Sequence, residues 1–210
     1  MSYDLEIIRR NENKTSKWTG GTTTELYIYP KESTYADRDF KWRLSSARVE
    51  LEESTFTLLP GINRVIMVIE GELMLQHEGH HSVKLKEFEK DSFSGEWMTT
   101  SFGKVIDFNL MMAQGYSGTL EFISAYKGEF KDICLYNNKS NVEKLSQITE
   151  AFFIVKGEVE MFTETKKKIS LSEGDLALIT RTDKETNFEF VVSSMCKEEA
   201  KIIKALVFHK

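Results

Sequence analysis

The feature that most restricts the fold of this chain is a short pattern that occurs twice. Val68-Ile69-Glu70-Gly71-Glu72-Leu73 is matched by Ile154-Val155-Lys156-Gly157-Glu158-Val159. Each copy ends an apolar run, turns at Gly-Glu and re-enters an apolar segment. An Asp then leads into the next apolar stretch: Asp91 in the first copy, and Asp175 within Gly174-Asp175-Leu176-Ala177-Leu178 in the second. A strand, a tight turn, a hairpin return and a further strand, run through twice, call for two β units. A chain of 210 residues is long enough for two small β domains that share an interface.

The remaining periodicities are also those of strands. Leu26 and Ile28 alternate with Tyr27 and Tyr29 before Pro30 stops the run. From Phe40 to Val49, Arg43, Ser45 and Ala47 share one face, and Trp42, Leu44 and Ser46 share the other. Val65 to Ile69 is a continuous apolar run rich in β-branched residues, as expected of a strand covered on both faces. Val105, Asp107 and Asn109 alternate with Ile106, Phe108 and Leu110. The 14 Phe, 7 Tyr and 3 Trp suit pleated strands. Helix signals are confined to short turns at Asn141–Thr149 and Lys197–Lys201.

Charge and composition remove several function classes. A net charge of −5 with both signs dispersed gives no nucleic-acid footprint. The densest basic run, Lys166 to Lys168, reads as a hairpin tip. Cys134 and Cys196 form neither a disulfide framework nor a CxxC pair, so each is expected as a small hydrophobe in a reducing compartment. The start, Met1-Ser2-Tyr3-Asp4-Leu5-Glu6, is not that of a signal peptide, and no run reaches the ~20 apolar residues of a membrane span. A cytoplasmic protein without a membrane partner is expected.

The repeated strand–turn–strand rhythm is that of a cupin barrel, and two copies imply a double cupin: all-β, two barrel or jelly-roll units, few short helices. The expected division is residues 1–118 and 119–210, with strands open to exchange between the units. Four segments in order then resemble the HutD/Ves family. They are Trp18-Thr19-Gly20-Gly21-Thr22-Thr23-Thr24-Glu25, Phe40-Lys41-Trp42-Arg43-Leu44-Ser45-Ser46-Ala47, Phe56-Thr57-Leu58-Leu59-Pro60-Gly61-Ile62-Asn63-Arg64 and Asp107-Phe108-Asn109-Leu110-Met111. Phe93-Ser94-Gly95-Glu96 fits a loop between the last two. The first motif is shorter than the family's usual W-K-N-G-G-G, lacking an Asn and a Gly.

Metal-binding cupins resemble one another in a motif ending H-x-H…E-x6-G. The seventh residue before Gly71 is Arg64, where that motif has its Glu, and neither His position is His. The same count before Gly157 reaches Glu150, again without histidines. No metal and no cofactor are expected in either barrel. His77, His80 and His81 read as a solvated hairpin turn on which a transition metal could settle adventitiously.

A cation in place of a metal-binding carboxylate points to an anionic or zwitterionic ligand, since Arg grips carboxylates with two parallel bonds. The expected binding set is Trp18, Gly20, Gly21, Thr23, Glu25, Arg43, Ser45, Arg64, Asp107 and Asn109. Gly20 and Gly21 form either a plain turn or a backbone cradle; Trp18 is either core or pocket wall. Arg43 and Arg64 either receive a ligand or neutralise Glu25 and Asp107 in a buried network. No nucleophile elbow is present, and no catalytic residue is assigned.

Three functions follow. The resemblance implies a non-catalytic binding protein, regulatory or accessory to histidine utilisation, for a small carboxylate such as urocanate. A metal-free isomerase or lyase is the second, with Glu25 or Asp107 as base; a carboxyl group shifted towards neutral pH favours it. The third is an interaction module whose site is filled by its own side chains. Cupins often pair, which makes a homodimer a candidate assembly.

Overall fold

A computed structural model describes residues 3–133, 146–162, 168–182 and 191–209. The described chain is built from strands: β1 (Tyr3–Ile8), β2 (Lys14–Trp18), β3 (Gly21–Tyr29), β4 (Trp42–Val49), β5 (Glu53–Thr55), β6 (Ile62–Glu70), β7 (Leu73–His77), β8 (Ser82–Leu85), β9 (Lys90–Ser94) and β10 (Thr99–Phe102) come first. There follow β11 (Val105–Ala113), β12 (Tyr116–Ala125), β13 (Lys131–Asp132), β14 (Gln147–Lys156), β15 (Glu158–Phe162), β16 (Lys168–Ser172), β17 (Leu176–Arg181), β18 (Val191–Ser194) and β19 (Ala200–His209). A single 3-10 turn at Arg10–Glu12 is the only helix among the described residues. No helix of the described residues is long and apolar enough to cross a membrane.

The chain divides into two compact units. Asn13–Leu120 forms one; Glu121–Lys210 forms the other together with Met1–Glu12. The first twelve residues thus leave the half in which the sequence placed them. Tyr3, Leu5 and Ile7 supply the reason: alternating along β1, they pack on the core of the second unit while β1 pairs with β17. The helical turns expected near Asn141–Thr149 and Lys197–Lys201 are not found where the chain is described. Gln147 already begins β14, Ala200 begins β19, and residues 141–145 lie outside the described residues. Lys166, Lys167 and Cys134 lie outside them as well.

In the unit Asn13–Leu120, a six-stranded sheet (β2-β3-β4-β11-β6-β9) packs on a four-stranded one (β5-β10-β7-β8). Ile66, Val68, Val49 and Val105 from the first sheet meet Leu73, Leu75 and Leu85 from the second in one core. Full burial of each such side chain contributes about 1.5–3 kcal/mol. The other unit repeats the plan with β1-β17-β14-β19-β12 and β13-β18-β15-β16. Gly71 and Gly157 both turn at positive φ, 92° and 88°, where only Gly is unstrained.

The repeat continues beyond that turn, two residues out of step with the sequence expectation. Val68 accepts from Phe88 N–H and donates to Glu89 O; Ile154 accepts from Gly174 N–H and donates to Asp175 O. Glu89 is therefore the counterpart of Asp175, and each carboxylate accepts the backbone N–H three residues earlier, from Lys86 or Ser172. Phe88, at φ 62°, stands where the second copy has Gly174. Asp91 has no such turn to hold, and its carboxylate goes elsewhere.

The histidine turn also departs from expectation. His77 is 3% exposed and faces inward in line with Leu73 and Leu75. His80 stacks on Trp97 with ring centroids 3.8 Å apart.

Candidate functional site

Antiparallel pairing sets one face of the six-stranded sheet in rows, because residues directly opposite each other point the same way. Arg43, Met111 and Arg64 form one row across β4, β11 and β6. Glu25, Ser45 and Asn109 form the next, and Thr23, Ala47 and Asp107 the third. The alternation seen in the sequence at Arg43-Ser45-Ala47 and Asp107-Asn109 is this face.

These rows border a cavity of about 320 Å3. Of the expected set, Trp18, Thr23, Arg43, Ser45, Arg64, Asp107 and Asn109 line it. Glu25 does not. It stands behind Arg43, whose Nε donates to its Oε2 at 2.8 Å while Nη1 donates to Ser45 Oγ at 3.0 Å. Glu25 therefore orients a cation and leaves the contact to Arg43.

Gly20 and Gly21 do not line this cavity. A Cβ on Gly21 would fall 1.9 Å from Arg48 O, and one on Gly20 would enter the Trp18 ring. Gly20 O also accepts from Glu50 N–H. Both glycines serve the close approach of their own chain.

The two arginines differ in their freedom. Arg43 is ion-paired. The side chain of Arg64, a residue 6% exposed, makes one hydrogen bond among the described residues, from Nε to Asn109 Oδ1 at a long 3.4 Å. Its guanidinium carbon lies 4.6 Å from the Phe56 ring centre and 5.2 Å from that of Phe93. Tyr35 supports Arg43 in the same way at 4.6 Å. Neither Tyr35 nor Phe56 was expected in the site. Phe56 opens the motif that ends in Arg64, a usable signal, whereas Tyr35 lies in the loop after β3 and carries none.

Asp107 is buried, and no hydrogen bond reaches its Oδ1. Burial pushes its carboxyl from 3.8 up to about 7, although Arg64 pulls the other way. Burial likewise lowers the Arg64 guanidinium to about 10. The anticipated neutralising network is thus present for Arg43 and Glu25 and absent for Arg64 and Asp107. A metal ion does not fit this donor set, because two guanidiniums face the cavity and no histidine lines it.

The second unit carries a different arrangement at the same repeat position. Glu150 corresponds to Arg64, and Lys204 to Asn109, by the pairings Phe152–Lys204 and Ile66–Asn109. Glu150 is fully buried, 2.8 Å from Lys204 Nζ and 3.4 Å from Arg181 Nη2.

Comparison with known proteins agrees with this architecture. A sequence model described as HutD matches residues 10–196. Protein Ves from Citrobacter koseri is 35% identical over 96 residues, 43% of this chain and 48% of that protein. The Escherichia fergusonii protein Ves is 34% identical over the same shares. The chain thus spans about half the length of the curated relatives it matches. Among solved structures, a conserved protein of unknown function from Pseudomonas aeruginosa superposes with TM-score 0.77 at 22% identity, covering 97% of this chain and 98% of that one. HutD from Pseudomonas fluorescens, in a formate condition, gives 0.66 at 21%, covering 96% and 98%. Oxalate decarboxylase from Bacillus subtilis gives 0.65 at 7%, covering 97% of this chain and 77% of that one, which places the fold among the double cupins.

Proposed function

The chain belongs to the HutD family, and from that membership and the chemistry of its cavity we propose that it binds a small carboxylate in the unit Asn13–Leu120, in a regulatory or accessory role in histidine utilisation. Arg64 carries the reading. A buried guanidinium is costly to desolvate, and its terminal nitrogens form no ion pair among the described residues. A ligand carboxylate meets those nitrogens in the two-pronged geometry that arginine favours. Asp107, across the same cavity, then faces the far end of the ligand. Its near-neutral carboxyl accepts from an N–H when ionised and donates when protonated.

The size agrees. A cavity of about 320 Å3 holds roughly ten water-sized groups. That suits urocanate or a related imidazole acid, with the carboxylate on Arg64 and the ring nitrogen on Asp107.

A second reading is favoured by one observation. A buried carboxyl near pH 7 is suited to proton transfer, so Asp107 is also the residue of choice for a metal-free isomerase or lyase acting on the same class of substrate.

Thermal unfolding across urocanate, histidine, formiminoglutamate and formate tests both. A ligand at about 100 times its Kd adds about 2.7 kcal/mol, a rise of roughly 5–10 °C for a chain of this size. The rise should be selective and absent in Arg64→Ala, provided that this variant still melts cooperatively. The stabilising compound is then assayed for turnover: conversion that ends in Asp107→Asn supports the enzyme, and binding without conversion supports the accessory role. No shift with any compound, in cleanly folded protein, would overturn both in favour of an interaction module.

A further inference from the structure

β7 and β9 belong to different sheets of the unit Asn13–Leu120, and three ligand-type side chains converge where they approach. His77 ends β7, His81 precedes β8, and Asp91 stands on β9. Nε2 of His77 lies 2.9 Å from Asp91 Oδ2. Nε2 of His81 lies 3.1 Å from the same oxygen and 3.2 Å from Oδ1. One atom from each residue falls within 4.8 Å of the others. Donors bound at about 2.0–2.2 Å around a tetrahedral ion stand about 3.3 Å apart, so little movement is needed to enclose one.

The other ring nitrogen of His77 is held as well. Thr99 Oγ1 lies 2.8 Å from His77 Nδ1 and donates to Trp97 O at 3.2 Å. A hydroxyl has one proton, and a carbonyl can only accept it. In the tautomer with its proton on Nδ1, His77 donates to Thr99 and turns the Nε2 lone pair towards the Asp91 carboxylate. A cation placed between Nε2 and that oxygen, 2.9 Å apart, is held by both. With a metal ion in that place, Thr99 is the outer partner that fixes the ring of a metal-bound histidine.

We propose that His77, His81 and Asp91 form a binding site for a divalent first-row transition ion, zinc in the first instance, with water completing its coordination. Two imidazoles and one carboxylate suit zinc and its neighbours and do not suit magnesium or calcium. Access is from the side of His81, whose side chain is 42% exposed, and of the adjoining hollow lined by Glu78, Ser82 and Met98. The site is separate from the arginine cavity: Phe93 lies between them, 4.6 Å from the His77 ring and 5.2 Å from the Arg64 guanidinium. It also lies away from the position counted from Gly71, at which metal-binding cupins have their Glu. Asp91 is available for it because Glu89 performs the turn-holding role of Asp175.

The test is a zinc titration of chelator-stripped full-length protein, with cobalt(II) absorption as a second readout. One equivalent of zinc should bind, and magnesium should not compete. His81→Ala and Asp91→Asn should each weaken zinc by about 100-fold or more and abolish the visible cobalt bands. His80→Ala should leave affinity within about threefold, because His80 stacks on Trp97 outside the ligand set. His81 is half exposed, so an unchanged melt of His81→Ala in chelator verifies folding. Stoichiometric zinc binding that survives in both His81→Ala and Asp91→Asn, or no binding to the unaltered protein, would overturn the site.

Discussion

Arg64 and Asp107 face one cavity, and no ion pair joins them. Arg43 and Glu25, on neighbouring strands of the same sheet, are in contact at 2.8 Å. The difference arises from register. Arg43 reaches Glu25 between the adjacent strands β3 and β4, where a bulge follows Glu25. Arg64 and Asp107 are on β6 and β11, two rows apart, and Asn109 of the intervening row takes the Arg64 Nε.

The first prediction concerns pH. The Asp107 carboxyl titrates at about 7 in the folded chain against an ordinary 3.8. Between those values the folded state holds a proton that the unfolded state has released. Stability from this group is therefore present at low pH and is lost as pH rises from about 4 through 7. Comparing the unaltered protein with Asp107→Asn cancels every other group. The variant should gain relative stability from pH 5 to pH 8, on the order of 3 kcal/mol, in urea unfolding at each pH. A parallel pair of profiles would show that Asp107 is ionised throughout.

A second prediction separates two glycines. Gly21→Ala drives a Cβ against Arg48 O at φ 148°, and should cost about 3 kcal/mol or more. Gly61→Ala, at φ 76° with open space around it, should cost about 1–2 kcal/mol. Thermal melts of the two variants side by side give the ordering.

The third prediction lies in the other unit. Glu150→Gln removes the carboxylate between Lys204 and Arg181 and leaves two buried cations facing an amide. The loss should be about 3–5 kcal/mol, seen as an earlier unfolding transition in urea. Ligand affinity of the arginine cavity should be unaffected.

Much of the architecture was legible from the chain. The two Gly-Glu turns, the alternating faces of β4 and β11 and the doubly covered β6 follow from local pattern, and the two-unit reading rested on them. The repeat was misread at one point, where Asp91 was matched with Asp175. Phe88 occupies a left-handed position that the second copy gives to Gly174, so the Gly-Asp signal is missing from the first copy. The crossing of β1 into the second unit was also hidden, since nothing near Tyr3 identifies β17 as its partner.

Sequence by itself determined which residues could form strands and which side chains would share a face, because those properties repeat every two residues along the chain. Tertiary structure alone decided which charges pair, which stay apart, and that His77 and His81 meet Asp91 from another sheet. Such relations depend on register and burial between segments distant in sequence, and desolvation has no value until the surrounding strands are in place.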